Sequence, residues 1–213
     1  MDTTLYPNYP NAYYCSHEND EISIEDFESF TKHPFNKDKT FELIDGRIVL
    51  MAGNANLNHQ RIVKELFKKI DSFLEGQPCE VFFDFNLYLF GKELGKCANI
   101  YQPDIMVCCE LDKLTKRGYE GVPSLIIEVI SKSTGKYDYG NKCENYIRYG
   151  VREYWAADSM KNKICAYSKL GKREYTFYDR VESSVFPNLS INFKEILEKL
   201  DKSDFDSKHF WEG

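Results

Sequence analysis

Between Asn58 and Leu74 the apolar residues Ile62, Leu66, Ile70 and Phe73 recur every three or four positions. That spacing lines one face of a helix, and Gly76 supplies its stop. Ser23, with Asp26 three residues on and apolar Ile24, Phe27 and Phe30, predicts a short capped helix. Phe41 to Ile44 and Arg47 to Met51 read as strands joined by Asp45-Gly46, a pair that tolerates the positive φ angles of a tight hairpin turn. Strand patterns follow at Glu80 to Leu89, Asp104 to Cys109, and Leu125 to Ile130, the last run broken by Glu128 alone. A helix is predicted from about Tyr139 to Tyr149, ended by Gly150. Three strands are then predicted at Tyr154 to Ala157, Lys163 to Tyr167 and Tyr175 to Tyr178, and an amphipathic helix at Phe193 to Leu200.

Strands interleaved with helices predict a mixed α/β (α+β) fold, a central sheet flanked by helices. The 213 residues suffice for one good-sized core, so one domain over residues 1–213 is expected. Residues 1–21, with Pro7, Pro10 and three tyrosines after them or between them, read as an irregular arm. No apolar run approaches the roughly 20 residues that span a bilayer, and Met1-Asp2-Thr3 opens no basic and then apolar leader. The seven cysteines form no C-x-x-C pair, which argues against a zinc site or a disulfide framework and for thiols in a reducing cytoplasm.

Charge at first disfavours a nucleic-acid partner, because the net charge is -6 and phosphate contacts need clustered Lys and Arg. Its distribution changes the picture. Residues 1–31 hold seven acids and no Lys or Arg, which leaves the remainder near +1. Residues 132–152 carry Lys132, Lys136, Lys142, Arg148 and Arg152 against Asp138 and Glu144, a local +3 that reads as a basic strip or as a solvated helix face.

Two acids stand out. Asp104 opens a strand that continues through Ile105, Met106 and Val107, and Glu128 lies inside an otherwise apolar strand. A carboxylate there is costly unless paired, hydrogen-bonded or metal-bound. The residues alone leave two readings open. Asp104 ends its strand and Glu128 meets a nearby cation, or the two acids together hold a hard divalent ion such as Mg²⁺.

The order Pro103-Asp104, then Pro123 to Thr134 with the core Glu128-Val129-Ile130-Ser131, then Asp138, Lys142 and Tyr146, then Gly150-Val151-Arg152-Glu153-Tyr154-Trp155, closely resembles the Uma family of the PD-(D/E)xK nuclease superfamily. Phe41 to Gly46 and His59 also match that family's pattern. The resemblance implies a restriction-endonuclease-like fold, DNA as substrate, Mg²⁺ or Mn²⁺ held by Asp104 and Glu128, and phosphodiester hydrolysis.

The superfamily signature wants a lysine two residues after the second acid, and here that place is Ile130. The resemblance puts the lysine on the following helix at Lys142, and Asp138 reads as an N-cap that sets Lys142 in that helix's first turns. Asp138 and Lys142 also read as an i,i+4 surface ion pair. Glu42 reads as a third acid, a partner for Lys142, or a solvent-facing strand residue. His59 reads as a general base, a phosphate contact or a structural residue, while Ser131, Ser133 and Thr134 read as phosphate contacts or plain loop residues. Tyr154 and Trp155 are expected in the core. The leading reading is a Mg²⁺- or Mn²⁺-dependent endonuclease with Asp104, Glu128 and Lys142 catalytic. A catalytically silent nuclease-fold module that binds nucleic acid is the alternative, and a two-carboxylate glycoside hydrolase is a distant third. A homodimer is expected from the two sites that double-strand cleavage needs.

Overall fold

The computed structural model describes residues 22–51, 56–90, 99–131 and 142–202. Their contacts divide the chain into two compact units, one made of residues 1–54, 86–102 and 113–121 and the other of residues 55–85, 103–112 and 122–213.

In the first unit, helix α1 (Ile24–Lys32) begins as predicted, with Ser23 Oγ accepting the Asp26 N–H at 3.0 Å. Strands β1 (Thr40–Ile44) and β2 (Arg47–Met51) pair antiparallel across Asp45 and Gly46. Both turn residues have positive φ, 48° and 72°, the type I′ geometry that Asp-Gly favours. With β4 (Leu87–Leu89) and β5 (Asn99–Tyr101) they form a four-stranded sheet in the order β2-β1-β5-β4. Phe27, Phe41, Leu43, Ile48, Tyr88 and Ile100 make its apolar core.

The second unit is built on a six-stranded sheet in the order β10-β9-β8-β7-β6-β3. Its strands are β3 (Glu80–Phe82), β6 (Ile105–Cys108), β7 (Leu125–Val129), β8 (Glu153–Asp158), β9 (Lys163–Ser168) and β10 (Gly171–Tyr175). The pair β7 and β8 is parallel and the other neighbours are antiparallel. On β7, the alternate residues Leu125, Ile127 and Val129 enter one apolar cluster. Helix α2 (Leu57–Leu74) adds Ile62, Leu66, Ile70 and Leu74 to that cluster, and helix α4 (Phe193–Leu197) adds Phe193, Ile196 and Leu197. The other residues of β7, Ile126 and Glu128, point to the opposite face by the same alternation. Helix α3 (Cys143–Tyr149) packs on β8 and ends at Gly150, whose φ of 101° suits glycine; Val151 N–H then caps the Tyr146 carbonyl at 2.9 Å. A small hairpin of β11 (Arg180–Glu182) and β12 (Ser190–Asn192) completes the unit.

Several expectations need correction. Glu80 to Leu89 is two strands rather than one, divided between the two units' sheets. Asp84 breaks the run with a φ of 51°, a conformation that continues no strand. The strand expected at Tyr175 to Tyr178 lies earlier, at Gly171–Tyr175. Residues 176–179 instead turn around Asp179, whose Oδ2 accepts the Thr176 N–H at 2.7 Å. The last helix stops at Leu197, and its final turn tightens, with Leu200 N–H on the Leu197 carbonyl at 3.1 Å. The cysteines are not all thiols either. Cys79 and Cys109 form a disulfide, because extending the Glu80–Cys108 register by one step sets them opposite each other. Cys108, Cys143 and Cys165 are free and buried, as small core residues should be.

Candidate active site

The second unit brings Asp104 and Glu128 together through strand register. Strand β6 pairs β7 antiparallel with Ile105 opposite Ile127, so one further step sets Asp104 opposite Glu128. The backbone binds them in both directions. Val129 N–H donates to Asp104 Oδ2 at 2.7 Å, and Asp104 N–H donates to Glu128 Oε2 at 3.3 Å. Asp104 keeps a 24% exposed side chain, whereas that of Glu128 is 5% exposed. The pair is open to solvent through Asp104 and anchored in the interior through Glu128.

A buried carboxylate needs compensation, and Glu128 receives it from α3. Lys142 Nζ and Tyr146 Oη both donate to Glu128 Oε1 at 3.0 Å. Lys142 precedes the first residue of α3 with helical φ and ψ, so Lys142 and Tyr146, four residues apart, share one face of the same turn. The lysine expected from the following helix is therefore beside the second acid. Ile130 contributes nothing polar from its side chain, which is buried, while its N–H joins the sheet through the Ala157 carbonyl at 2.9 Å.

His59 reaches the site from α2. Asn56 caps that helix by accepting the His59 N–H at 2.8 Å, which sets the imidazole in the first turn. Its Nε2 lies 3.2 Å from Asp104 Oδ2. Glu42 belongs to the first unit, where it is buried on β1 and accepts the Gln102 N–H at 3.1 Å, so it is not the solvent-facing residue that one reading offered. Asp138, Ser133 and Thr134 lie outside the described residues. Ser131 follows Ile130, just beyond the end of β7 at Val129, and Tyr154 and Trp155 are fully buried on β8, as expected of core residues.

Two hard oxygen donors on adjacent strands fit the needs of Mg²⁺ or Mn²⁺, since Mg²⁺ keeps several waters and uses one or two carboxylates. Among the described residues, no group of three or more His, Cys, Asp or Glu is arranged to hold a metal. The donors that Asp104 and Glu128 offer are carboxylate oxygens, the ligand type that hard cations take. Sequence reading gave Tyr146 no role in this cluster. The signal was present in its i,i+4 spacing from Lys142, but a tyrosine at that spacing reads equally as a core residue.

The model of the Uma2 family, described as a putative restriction endonuclease, matches residues 24–194. The chain belongs to the Uma2 family. A solved structure of similar fold is a putative nuclease belonging to DUF820 from Anabaena variabilis. It is 16% identical, with a TM-score of 0.62, over 75% of this chain and 90% of that one. The Uma2 chain is thus a mixed α+β protein of restriction-endonuclease-like fold. It is also 28% identical over 130 residues to an uncharacterised protein of Synechocystis sp., a match covering 60% of this chain and 65% of that relative's length. Among the described residues, no helix is long and apolar enough to cross a membrane.

Proposed function

We propose that this Uma2 protein is a divalent-metal-dependent endonuclease that hydrolyses phosphodiester bonds of DNA. The observation that carries the reading is the Asp104–Glu128 pair. Two carboxylates stand opposite each other on β6 and β7, tied by the 2.7 Å and 3.3 Å backbone hydrogen bonds, with the Lys142 ammonium 3.0 Å from the second acid. Membership of a family whose description is "putative restriction endonuclease" supports the same reading.

Asp104 and Glu128 would hold Mg²⁺ or Mn²⁺. When bound, the ion supplies Lewis-acid chemistry, drawing charge from a phosphoryl oxygen. Lys142 brings a cation with three donors to the site, where it offsets charge that builds on phosphate during attack by water. His59 Nε2 holds Asp104 Oδ2 from the α2 side, and Val129 N–H holds the same oxygen from the sheet, which limits rotation of the carboxylate. Cutting both strands of a duplex takes two such sites, so we place the protein in a symmetric homodimer acting on DNA.

One observation favours a second reading. Ile130 stands where the superfamily signature has lysine, and Lys142 is committed to a buried ion pair. A silent module of the same fold would bind DNA without cutting it. Incubation of supercoiled plasmid and single-stranded DNA with Mg²⁺ or Mn²⁺ separates the two. The endonuclease reading expects nicked and linear products from the wild type, and none from Asp104→Ala or Lys142→Ala. DNA binding with no cleavage under any metal would leave the silent module standing. Light scattering reports the dimer.

A further inference from the structure

The donors on Glu128 Oε1 are unlike in kind. Lys142 is a flexible four-carbon stem with a charged tip. Tyr146 is a rigid ring with a fixed hydroxyl, and it is fully buried. Its ring packs against Tyr154 with centroids 5.4 Å apart, and Tyr154 in turn lies 6.0 Å from Tyr167 on β9. Its backbone is held where α3 ends, by the Val151 N–H on its carbonyl.

We infer that Tyr146 is a positioning residue for the metal-binding carboxylates: its hydroxyl fixes Glu128 Oε1 so that Oε2 stays turned toward Asp104, and it keeps that orientation when Lys142 swings toward phosphate. The inference rests on the endonuclease reading and deepens it. With Lys142 as its only side-chain donor, Oε1 would lose that donor each time the lysine engaged substrate, leaving the Asp104 N–H on Oε2 to orient the carboxylate. With Tyr146 present, one donor remains on Oε1 throughout. Asp104 is built the same way, one oxygen held by Val129 N–H and His59 Nε2. Asp104 is thus gripped at Oδ2 and Glu128 at Oε1 by donors from outside their own strands, while Glu128 Oε2 accepts the Asp104 N–H at 3.3 Å. Partners of this kind, behind a metal ligand, typically govern about 10–100-fold in metal affinity.

The test is Mn²⁺ binding to the full-length protein by calorimetry, with the Mg²⁺ dependence of plasmid cleavage measured alongside. Tyr146→Phe keeps the ring and removes only the hydroxyl, and circular dichroism checks that the variant is folded. It should bind Mn²⁺ about 10-fold more weakly than wild type, and cleavage should need correspondingly more Mg²⁺ while its rate at saturating Mg²⁺ stays within about 3-fold. Tyr154→Phe, which removes the hydroxyl of the neighbouring ring, should leave Mn²⁺ affinity unchanged. Equal affinity in wild type and Tyr146→Phe would overturn the inference while leaving the endonuclease reading intact. Equal weakening by Tyr146→Phe and Tyr154→Phe would overturn it too, since the effect would then be general loosening of the tyrosine cluster. No Mn²⁺ binding by wild type, or binding indifferent to Asp104→Ala, would overturn the endonuclease reading and the inference with it.

Discussion

Lys142 and Glu128 form an ion pair removed from water, with Nζ and Oε1 3.0 Å apart and side chains only 3% and 5% exposed. Breaking one partner of such a pair leaves an uncompensated charge in the interior. Lys142→Met should therefore lose roughly 3–5 kcal/mol of stability in urea denaturation. The double variant Lys142→Met with Glu128→Gln should recover most of that loss, because no charge is then left unpaired. A single variant as stable as wild type would mean that Glu128 is neutral or hydrated in the folded protein.

The acid pair was readable in the sequence because a carboxylate inside Leu125 to Val129 contradicts the apolar pattern around it, and because Pro103-Asp104 marks a strand entry. What one-dimensional pattern cannot carry is register, and register is what sets Asp104 opposite Glu128. The same limit hid the Cys79–Cys109 disulfide, whose two members are 30 positions apart and become neighbours through the pairing of β3 with β6. Short strands were lost for a different reason. Asn99–Tyr101, Arg180–Glu182 and Ser190–Asn192 have three residues each, too few for alternation to show. Aromatic content misled at Phe82 to Phe85, where β-favouring side chains continue through a residue, Asp84, that has left the strand conformation.

The disulfide ties the edge strand β3 to β6, the strand that leads out of Asp104. It closes a loop over a sequence separation of 30, for which loop-closure entropy predicts a contribution of roughly 3–4 kcal/mol. Wild type measured in urea with and without dithiothreitol should differ by an amount of that order, and Cys79→Ser should match reduced wild type in both buffers. Indifference of the wild type to reductant would show that the bridge adds no constraint to the unfolded chain.

Acid stability should depend on Glu65. This residue on α2 is buried, and the hydrogen bond from Lys199 at 2.6 Å holds its carboxyl below the ordinary value of 4.5 against the opposing effect of burial. A depressed carboxylate contributes stability that is complete above its unfolded pKa and disappears as pH falls through its folded pKa. Wild type should thus lose stability on acidification below about pH 4.5, more steeply than Lys199→Met, and the two should differ by a constant amount at neutral pH. Parallel curves from pH 6 to pH 3 would remove Lys199 as the cause.

The acid pair also makes a prediction that needs no substrate. Asp104 and Glu128 lie opposite each other in the folded protein through the register of β6 and β7, and the unfolded chain has no such arrangement. An ion held between them must therefore stabilise the fold by linkage, by about 2.7 kcal/mol when its concentration is 100 times its dissociation constant. Thermal unfolding should move upward with added Mn²⁺ in wild type and stay fixed in Asp104→Asn. Asparagine is nearly isosteric and can still accept the Val129 N–H through its amide oxygen, so the variant isolates charge from packing. Glu128→Gln should likewise lose the metal response, whereas His59→Gln should keep it at reduced affinity, because the imidazole touches Asp104 Oδ2 from behind. A Mn²⁺ shift of equal size in wild type and Asp104→Asn would place the binding elsewhere on the protein.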